Sequence, residues 1–294
     1  MGAQGESAPP PLTYEDTKKI LAKLGDVRVV LVGGQAVNFW ASYFLSRLPS
    51  LAQHGPYASK DIDFAGGHDA VQESARRLGG HAKLATLDDM NTPNTGMVVF
   101  VDEDGYTRGI DFLSAPGGLT TAEVFDTSFP ATITTDGVEV TFRVMHPLLS
   151  LESRAHNVAY LPGYQTDHAL GQLRAAILCA RESVRDALDE GATHVGTRAN
   201  ERIFKLAAWR AGLVGYTNHG IDVFQAAIEQ HPSLPKLFMS RRYPQMRQTI
   251  DRKRRHCARV AAMEDGRRIA ADAKAARAKA PTSQVSTSCS RAVE

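Results

Sequence analysis

Two aspartates that lie two residues apart on a predicted strand are suited to metal chemistry. The segment KDIDFAGG, residues 60–67, alternates charged and apolar residues, which is typical of a strand with one buried face. Asp61 and Asp63 therefore share a face, and Ile62 and Phe64 would anchor the strand in the core. Mg²⁺ prefers carboxylate oxygens, and carboxylates packed together repel one another unless a cation lies between them.

A third aspartate follows on a predicted hairpin. Apolar runs at residues 97–101 and 109–113 flank the turn sequence DEDG, which places Asp111 on the second strand. If this strand lies beside the first, three carboxylates can hold a pair of Mg²⁺ ions, or Mn²⁺ in their place. An isolated DxD pair is more often a solvated strand face, so the interpretation depends on the surrounding elements.

A pair of glycines provides a possible phosphate site. Residues 29–32 form an aliphatic run typical of a buried strand, Gly33 and Gly34 end it, and the following residues 35–48 have the apolar spacing of a helix. At such a turn the backbone approaches phosphates closely and helix N–H groups point at them. The alternatives are a tight turn without ligand and a dinucleotide site, but the second lacks the GxGxxG spacing.

The stretches LVGGQAVNFW, SKDIDF and GIDF together resemble the polymerase-beta-like nucleotidyltransferases over residues 29–113. The GGxA and SxDIDF forms are most similar to the AbiEii-type toxins of bacterial abortive-infection systems. The resemblance implies an α+β fold, in which a nucleotidyltransferase core with a mixed sheet flanked by helices precedes a mostly α-helical domain.

The resemblance also implies roles for individual residues. Asp61, Asp63 and Asp111 would bind two Mg²⁺ ions, and Asp111 would help to deprotonate the acceptor. In AbiEii-like proteins a Lys and a later Asp of the helical domain complete the site, and Arg154 and Asp167 stand at these positions here. The residues expected to bind the nucleotide are Gly33, Gly34, Gln35, Ser59, Lys60, Arg154 and Asp167.

Composition shifts divide the chain into four parts. We expect a disordered leader over residues 1–12, the core over 13–145, a helical domain over 146–264 and a low-complexity tail over 265–294. A second strand pair is predicted at residues 131–134 and 138–144. Helical spacing is found at residues 148–161, 167–188, 198–213 and 221–230, and Trp40 and Trp209 occupy apolar helical positions expected in the core.

Overall composition excludes several classes of protein. The 294 residues are 43% hydrophobic with a net charge of +2, and the three cysteines have no CxxC spacing. These values predict a folded protein without a disulfide framework or a zinc site. Without a long apolar run or a signal sequence, we expect a cytoplasmic protein with no membrane partner.

The acceptor is not readable from the aspartates. Residues 241–259 contain eight basic residues against one acid, a net charge of +7, which is equally typical of an RNA contact and of a solvated helix face. The leading hypothesis is transfer of NMP from an NTP to a hydroxyl of tRNA, other RNA or protein, as by the toxin of a toxin-antitoxin or phage-defence system with an antitoxin partner. The alternatives are a small-molecule adenylyltransferase of the aminoglycoside type and a non-enzymatic nucleotide-sensing or protein-binding fold.

Overall fold

The computed structural model describes residues 10–55, 61–86, 93–135 and 137–279. Within these ranges one mixed sheet has the order β3-β4-β5-β2-β1-β7-β6. The pairs β2–β5 and β1–β7 are parallel and the other neighbours are antiparallel. The strands are β1 (Val30–Leu31), β2 (Ile62–Ala65), β3 (His81–Leu84), β4 (Asn94–Val101), β5 (Thr107–Leu113), β6 (Phe129–Thr135) and β7 (Val138–Val144).

Helices pack on this sheet and then continue without further strands to the end of the described chain. The α-helices are α1 (Tyr14–Leu24), α2 (Gly33–Phe44), α3 (His68–Leu78), α4 (Thr121–Thr127), α5 (Pro147–Tyr160), α6 (Asp167–Asp189), α7 (Thr193–Ala208), α8 (Arg210–His219) and α9 (Tyr243–Lys279). Short 3-10 turns occur at Pro49–His54, Pro162–Tyr164 and Val223–Ala226, and a π-helical turn at Phe238–Arg242. The expected α+β class with a mixed sheet is therefore confirmed. No helix within the described ranges is both long and apolar enough to cross a membrane.

Local sequence explains where several helices begin and end. α1 starts with a capping box, in which the Thr13 hydroxyl accepts from the backbone N–H of Asp16 at 3.2 Å and the Asp16 carboxylate accepts from that of Thr13 at 2.8 Å. α3 ends at Gly79, whose left-handed backbone (φ 65°, ψ 29°) closes the helix. α5 starts with Pro147 in its first turn, where a missing N–H costs no helical hydrogen bond.

A hydrophobic core connects the sheet to the later helices. Phe64 of β2 and Phe112 of β5 are fully buried, with ring centroids 5.8 Å apart. Leu151 of α5 and Leu173 of α6 belong to the same buried cluster. The strands precede residue 145 and α5 to α9 follow it, but the apolar core is continuous across that point; the division into two domains stays a prediction.

The N-terminal boundary of the packed region differs from expectation. Leu12 is buried and the carbonyl of Pro10 accepts from the Arg108 guanidinium at 2.5 Å, so packing begins inside the predicted leader. At the other end, α9 continues through the start of the predicted tail to Lys279. Residues 1–9 and 280–294 lie outside the described residues.

Some internal elements were missed by the sequence analysis, and others were predicted wrongly. β3 and α4 carry too few periodic apolar residues to be recognised, and residues 221–230 form only a short 3-10 turn. The helix expected over residues 198–213 is broken at Trp209, whose backbone is extended there (φ −99°, ψ 170°). The Trp209 side chain is 71% exposed because this break takes it out of the helical face that packs on the core.

The central strand pair provides a test of the core. Phe112→Ala is expected to lower the free energy of unfolding by about 3–5 kcal/mol, because it removes a fully buried ring that packs on Phe64. Val101→Ala, on the exposed end of β4, should change it by less than about 0.5 kcal/mol. Urea denaturation followed by circular dichroism measures both, and equal losses would contradict the assignment of the core.

Candidate active site

Strand pairing brings two of the three predicted acids side by side. β2 and β5 are parallel neighbours, and their register pairs Asp63 directly with Asp111. Adjacent strands lie about 4.8 Å apart, and residues paired in register project from the same face. Asp61 immediately precedes β2, two residues before Asp63, and is exposed. The three carboxylates therefore belong to one region of the sheet.

The Gly-Gly turn meets the same place through a second pairing. β1 runs antiparallel to β2, with Leu31 opposite Phe64, so that the end of β1 lies beside the start of β2. The Val32 N–H donates to the Asp63 carbonyl at 2.9 Å and extends this pairing by one residue. Contrary to the prediction of a separate turn, both glycines lie in the first turn of α2.

Gly33 and the Asp63 side chain share one small volume. A β-carbon on Gly33 would lie 1.9 Å from Asp63 Oδ2, well inside van der Waals contact, and the Gly33 backbone has φ +66°. Both observations require glycine at this position, since only glycine adopts this conformation without strain and leaves room for the carboxylate. The sequence predicted that this glycine allows a phosphate to approach the backbone closely. In the structure the group that approaches it is the Asp63 carboxylate.

Burial raises the pKa values of two of the aspartates. Burial raises the pKa of Asp63 to about 6; Arg154 opposes this shift, while Asp111 and Asp61 add to it. Burial also raises the pKa of Asp111, with a further contribution from Asp61. Each shift reports that the carboxylate is less stable ionised here than in water. A cation bound among these side chains would remove that penalty.

Arg154 is buried near the acids. β1 and β7 are parallel, so α2 and α5 begin at the same edge of the sheet, and α5 carries Arg154 toward Asp63. The Arg154 side chain is buried, and burial lowers its pKa while Asp63 raises it. Its Nη1 donates to Gln172 Oε1 at 3.2 Å, and its Nε is buried without a partner in the described structure.

Gln172 of α6 is a site residue that sequence reasoning missed. A β-carbon on Gly34 would lie 2.7 Å from Gln172 Nε2, so this amide packs directly on the Gly-Gly turn while it also accepts from Arg154. Nothing in the spacing of α6 distinguishes Gln172 from a solvated glutamine. Its role follows only from the packing of α6 against α2 and α5.

Gln35 is too deeply buried to serve as an open nucleotide ligand in this conformation. Its side chain is 3% exposed, and its Oε1 accepts from Asn38 Nδ2 at 3.1 Å within α2. Gln35 Nε2 and Asn38 Oδ1 have no hydrogen-bond partner within the described residues. An unpaired buried polar atom costs about 1–3 kcal/mol, so this pair lowers the stability of the packing around α2.

The remaining residues predicted to bind the nucleotide are Asp167, Ser59 and Lys60. Asp167 is exposed in the first turn of α6, and the charges that act on Asp63 are Arg154, Asp111 and Asp61 rather than Asp167. The structure does not bring Asp167 into the site; Gln172, farther along α6, reaches it instead. Ser59 and Lys60 lie outside the described residues.

The donor set is chemically suited to Mg²⁺. Asp63 and Asp111 present adjacent carboxylates, with Asp61 exposed beside them, and hard divalent cations bind such oxygens. Across the described ranges, no three His, Cys, Asp or Glu side chains lie close enough together to hold a metal ion, so Asp61 does not complete a three-carboxylate site with Asp63 and Asp111. Mg²⁺ commonly uses one or two carboxylates and takes its other ligands from water and substrate phosphates, which this arrangement allows.

The basic segment at residues 241–259 is less free than its net charge suggests. Arg242 forms an ion pair with Glu201 and Arg254 with Asp222, and the Lys253 ammonium donates to the Ala208 carbonyl at 2.8 Å. These contacts fasten the start of α9 to the preceding helices. Arg241, Arg252, Arg255 and Arg259 remain exposed. Part of the segment is therefore structural, and the RNA interpretation applies only to the rest.

The contact between Gly33 and Asp63 predicts a specific cost of substitution. Gly33→Ala should destabilise the protein by about 1–2 kcal/mol through its positive φ and by about 1–3 kcal/mol more through displacement of Asp63. Gly105→Ala is the matched control, because Gly105 has φ +85° and open space around its Cα. Chemical denaturation of both variants separates the two terms. Equal losses would contradict the close contact.

The raised pKa of Asp63 predicts a pH dependence in metal-free protein. Between its ordinary pKa of 3.8 and about 6 the folded chain binds more protons than the unfolded chain, so this group lowers stability as pH rises through that window. Asp63→Asn removes the titration. Its free energy of unfolding relative to wild type should rise by about 2 kcal/mol from pH 4 to pH 7. Urea titrations in EDTA measure the difference, and parallel pH profiles would contradict it.

We compared the chain with known protein families, curated proteins and solved structures. No protein-family model, no curated protein and no solved structure matches the chain. The assignment of a function therefore rests on the carboxylates, the Gly-Gly turn and the buried arginine described above.

Proposed function

We propose that the protein is a Mg²⁺-dependent nucleotidyltransferase that transfers NMP from an NTP to a hydroxyl group. The observation that carries the proposal is the register of β2 and β5, which pairs Asp63 with Asp111 beside the glycine turn that opens α2. Adjacent carboxylates, a glycine turn at a helix N-terminus and a buried arginine are the groups that NTP binding and in-line phosphoryl chemistry require.

Each group has a distinct role in the proposed reaction. Asp63 and Asp111 would hold the ions, which supply charge neutralisation at the phosphates. The N-terminal end of α2 would attract the triphosphate through its dipole, with Gly33 and Gly34 themselves buried in this conformation. The positive charge of Arg154, which is buried in this conformation but acts on Asp63, would attract the phosphates.

The transfer itself exchanges one phosphorus–oxygen bond for another. The acceptor hydroxyl oxygen forms a bond to the α-phosphorus while the bond from that phosphorus to the bridging oxygen breaks, and pyrophosphate leaves with the electron pair. The hydroxyl proton passes to a carboxylate, for which Asp111 is our candidate, because the resemblance implies this role and burial raises its pKa. RNA, protein and small-molecule hydroxyls all satisfy this chemistry, and an antitoxin partner would be compatible with it.

A second candidate is a nucleotide-binding protein without turnover. The specific observation in its favour is the attraction between Arg154 and Asp63, which partly neutralises a carboxylate that the enzyme would use for metal. Such a protein would bind NTP through the glycine turn and Arg154 but would release no pyrophosphate.

Labelled transfer experiments test both candidates. The protein is incubated with each α-³²P NTP and Mg²⁺, together with total RNA, total protein or a mixture of aminoglycosides, and label and pyrophosphate are measured. Asp63→Asn and Asp111→Asn should each lower transfer by about a hundredfold or more. Asp104→Asn, in the exposed β4–β5 turn, is the control and should retain full activity.

The possible outcomes separate the hypotheses. Transfer that survives both substitutions would exclude these aspartates from catalysis. Saturable NTP binding by calorimetry, without pyrophosphate release for any acceptor, would support the nucleotide-binding candidate. Absence of both NTP binding and transfer would reject both.

A further inference from the structure

A cavity lies away from Asp61, Asp63 and Asp111. It has a volume of about 810 Å³ and is bounded by the second half of α2, by β6, by the start of α5 and by α6 and α7. None of the carboxylates, the two glycines or Arg154 lines it. Its volume falls within the range of about 300–1,000 Å³ that is typical of small-molecule sites.

Aromatic rings form most of one wall. Trp40 stacks on Phe44 with centroids 5.9 Å apart, and Phe129 meets Trp40 edge-on at 5.6 Å. Phe129 also lies 5.1 Å from the His146 ring, and Tyr43 is 59% exposed at the rim. Trp40 is held in place because its Nε1 donates to the Met145 carbonyl at 2.8 Å. The wall is therefore fixed before any ligand binds.

The charged groups of the cavity have one sign. His146 is neutral near pH 7, because burial, helped by Arg202, lowers its pKa to about 4. Among the lining residues that the structure describes, the charged ones are Asp186, in the last turn of α6, and Glu190, the residue that caps this helix. Glu190 is exposed and forms no ion pair with a described residue. The cavity thus combines rings with negative charge.

The protein already places one of its own cations in this environment. The Arg47 guanidinium binds Asp186 through two hydrogen bonds of 2.6 and 2.8 Å, and its central carbon lies 4.9 Å from the Phe44 ring centroid. A cation over an aromatic face with a carboxylate partner is a favourable combination. Glu190 and Tyr43 line the same cavity, and no described cation pairs with Glu190 there.

We propose that this cavity is a binding site for a small aromatic amine, whose ring packs among Trp40, Tyr43 and Phe129 and whose ammonium group pairs with Glu190. The site is distinct from the proposed nucleotide site and does not depend on transferase activity. It contacts both helices that begin at the carboxylate edge, α2 and α5.

The test uses Trp40 as the reporter. In a Trp209→Phe background Trp40 is the only tryptophan, because the chain contains two. The probes are 2-phenylethylamine, the uncharged 2-phenylethanol and the anionic phenylacetate, and calorimetry provides a second readout. We expect saturable binding of the amine, about fivefold tighter than of the alcohol, and no measurable binding of phenylacetate.

Matched variants identify the groups responsible. Glu190→Gln should weaken amine binding about fivefold and leave the alcohol unchanged, and Tyr43→Ala should weaken both probes. Asp189→Asn is the control. Asp189 lies on the same helix, next to Glu190, but it pairs with His231 and does not line the cavity. It should bind the amine as wild type does.

Three results of the binding measurements would overturn the proposal. They are absence of saturable amine binding, equal binding of amine and alcohol, and an amine affinity that Glu190→Gln leaves unchanged. Sedimentation at the titration concentrations checks for a second copy of the chain in the cavity. A dimer whose Trp40 fluorescence changes with protein concentration alone would assign the cavity to self-association and would also overturn it.

Discussion

The Asp63 carboxylate occupies the space where a β-carbon on residue 33 would stand, and much of the candidate site depends on this contact. It requires glycine at residue 33, in a conformation that other residues adopt only with strain. It also brings the carboxylate out of water, which raises its pKa to about 6 and makes the ionised form costly. A fold that retains a buried acid beside another acid sacrifices stability unless a cation or a ligand compensates. The contact is therefore the tightest packing constraint of the site, and it explains why the ionised carboxylate is costly there.

Two parallel strand pairs organise everything around that contact. The β2–β5 pair sets Asp63 beside Asp111, while the β1–β7 pair starts α2 and α5 from one edge of the sheet. As a consequence Arg154, two turns into α5, is carried into the interior near the acids, where Gln172 holds one of its nitrogens. The arginine and the acids partly neutralise one another. That balance lowers the cost of holding these charges out of water.

The same two helices connect the carboxylate edge to the aromatic cavity. α2 begins with Gly33 and Gly34, and its second half supplies Trp40 and Tyr43 to the cavity wall. α5 begins beside His146 at the cavity and carries Arg154 at the other site. A molecule in the cavity would thus touch α2, whose first turn lies at the proposed nucleotide site, and the start of α5, which carries Arg154 two turns later. The two sites therefore share these helices as support.

The sequence by itself determined the features that depend on near neighbours along the chain. Alternation placed Asp61 and Asp63 on one face, the DEDG turn defined the hairpin that carries Asp111, and the helical spacings of α2, α5 and α6 were readable. Only the tertiary structure decided the rest: the register between Asp63 and Asp111, the burial of Arg154, the contact of Gln172 with Gly34 and the exposure of Trp209. Local periodicity reports which face of an element is apolar, because side chains repeat along a helix or strand. It carries no information on which distant element covers that face, and these contacts all join residues brought together by strand order and helix packing.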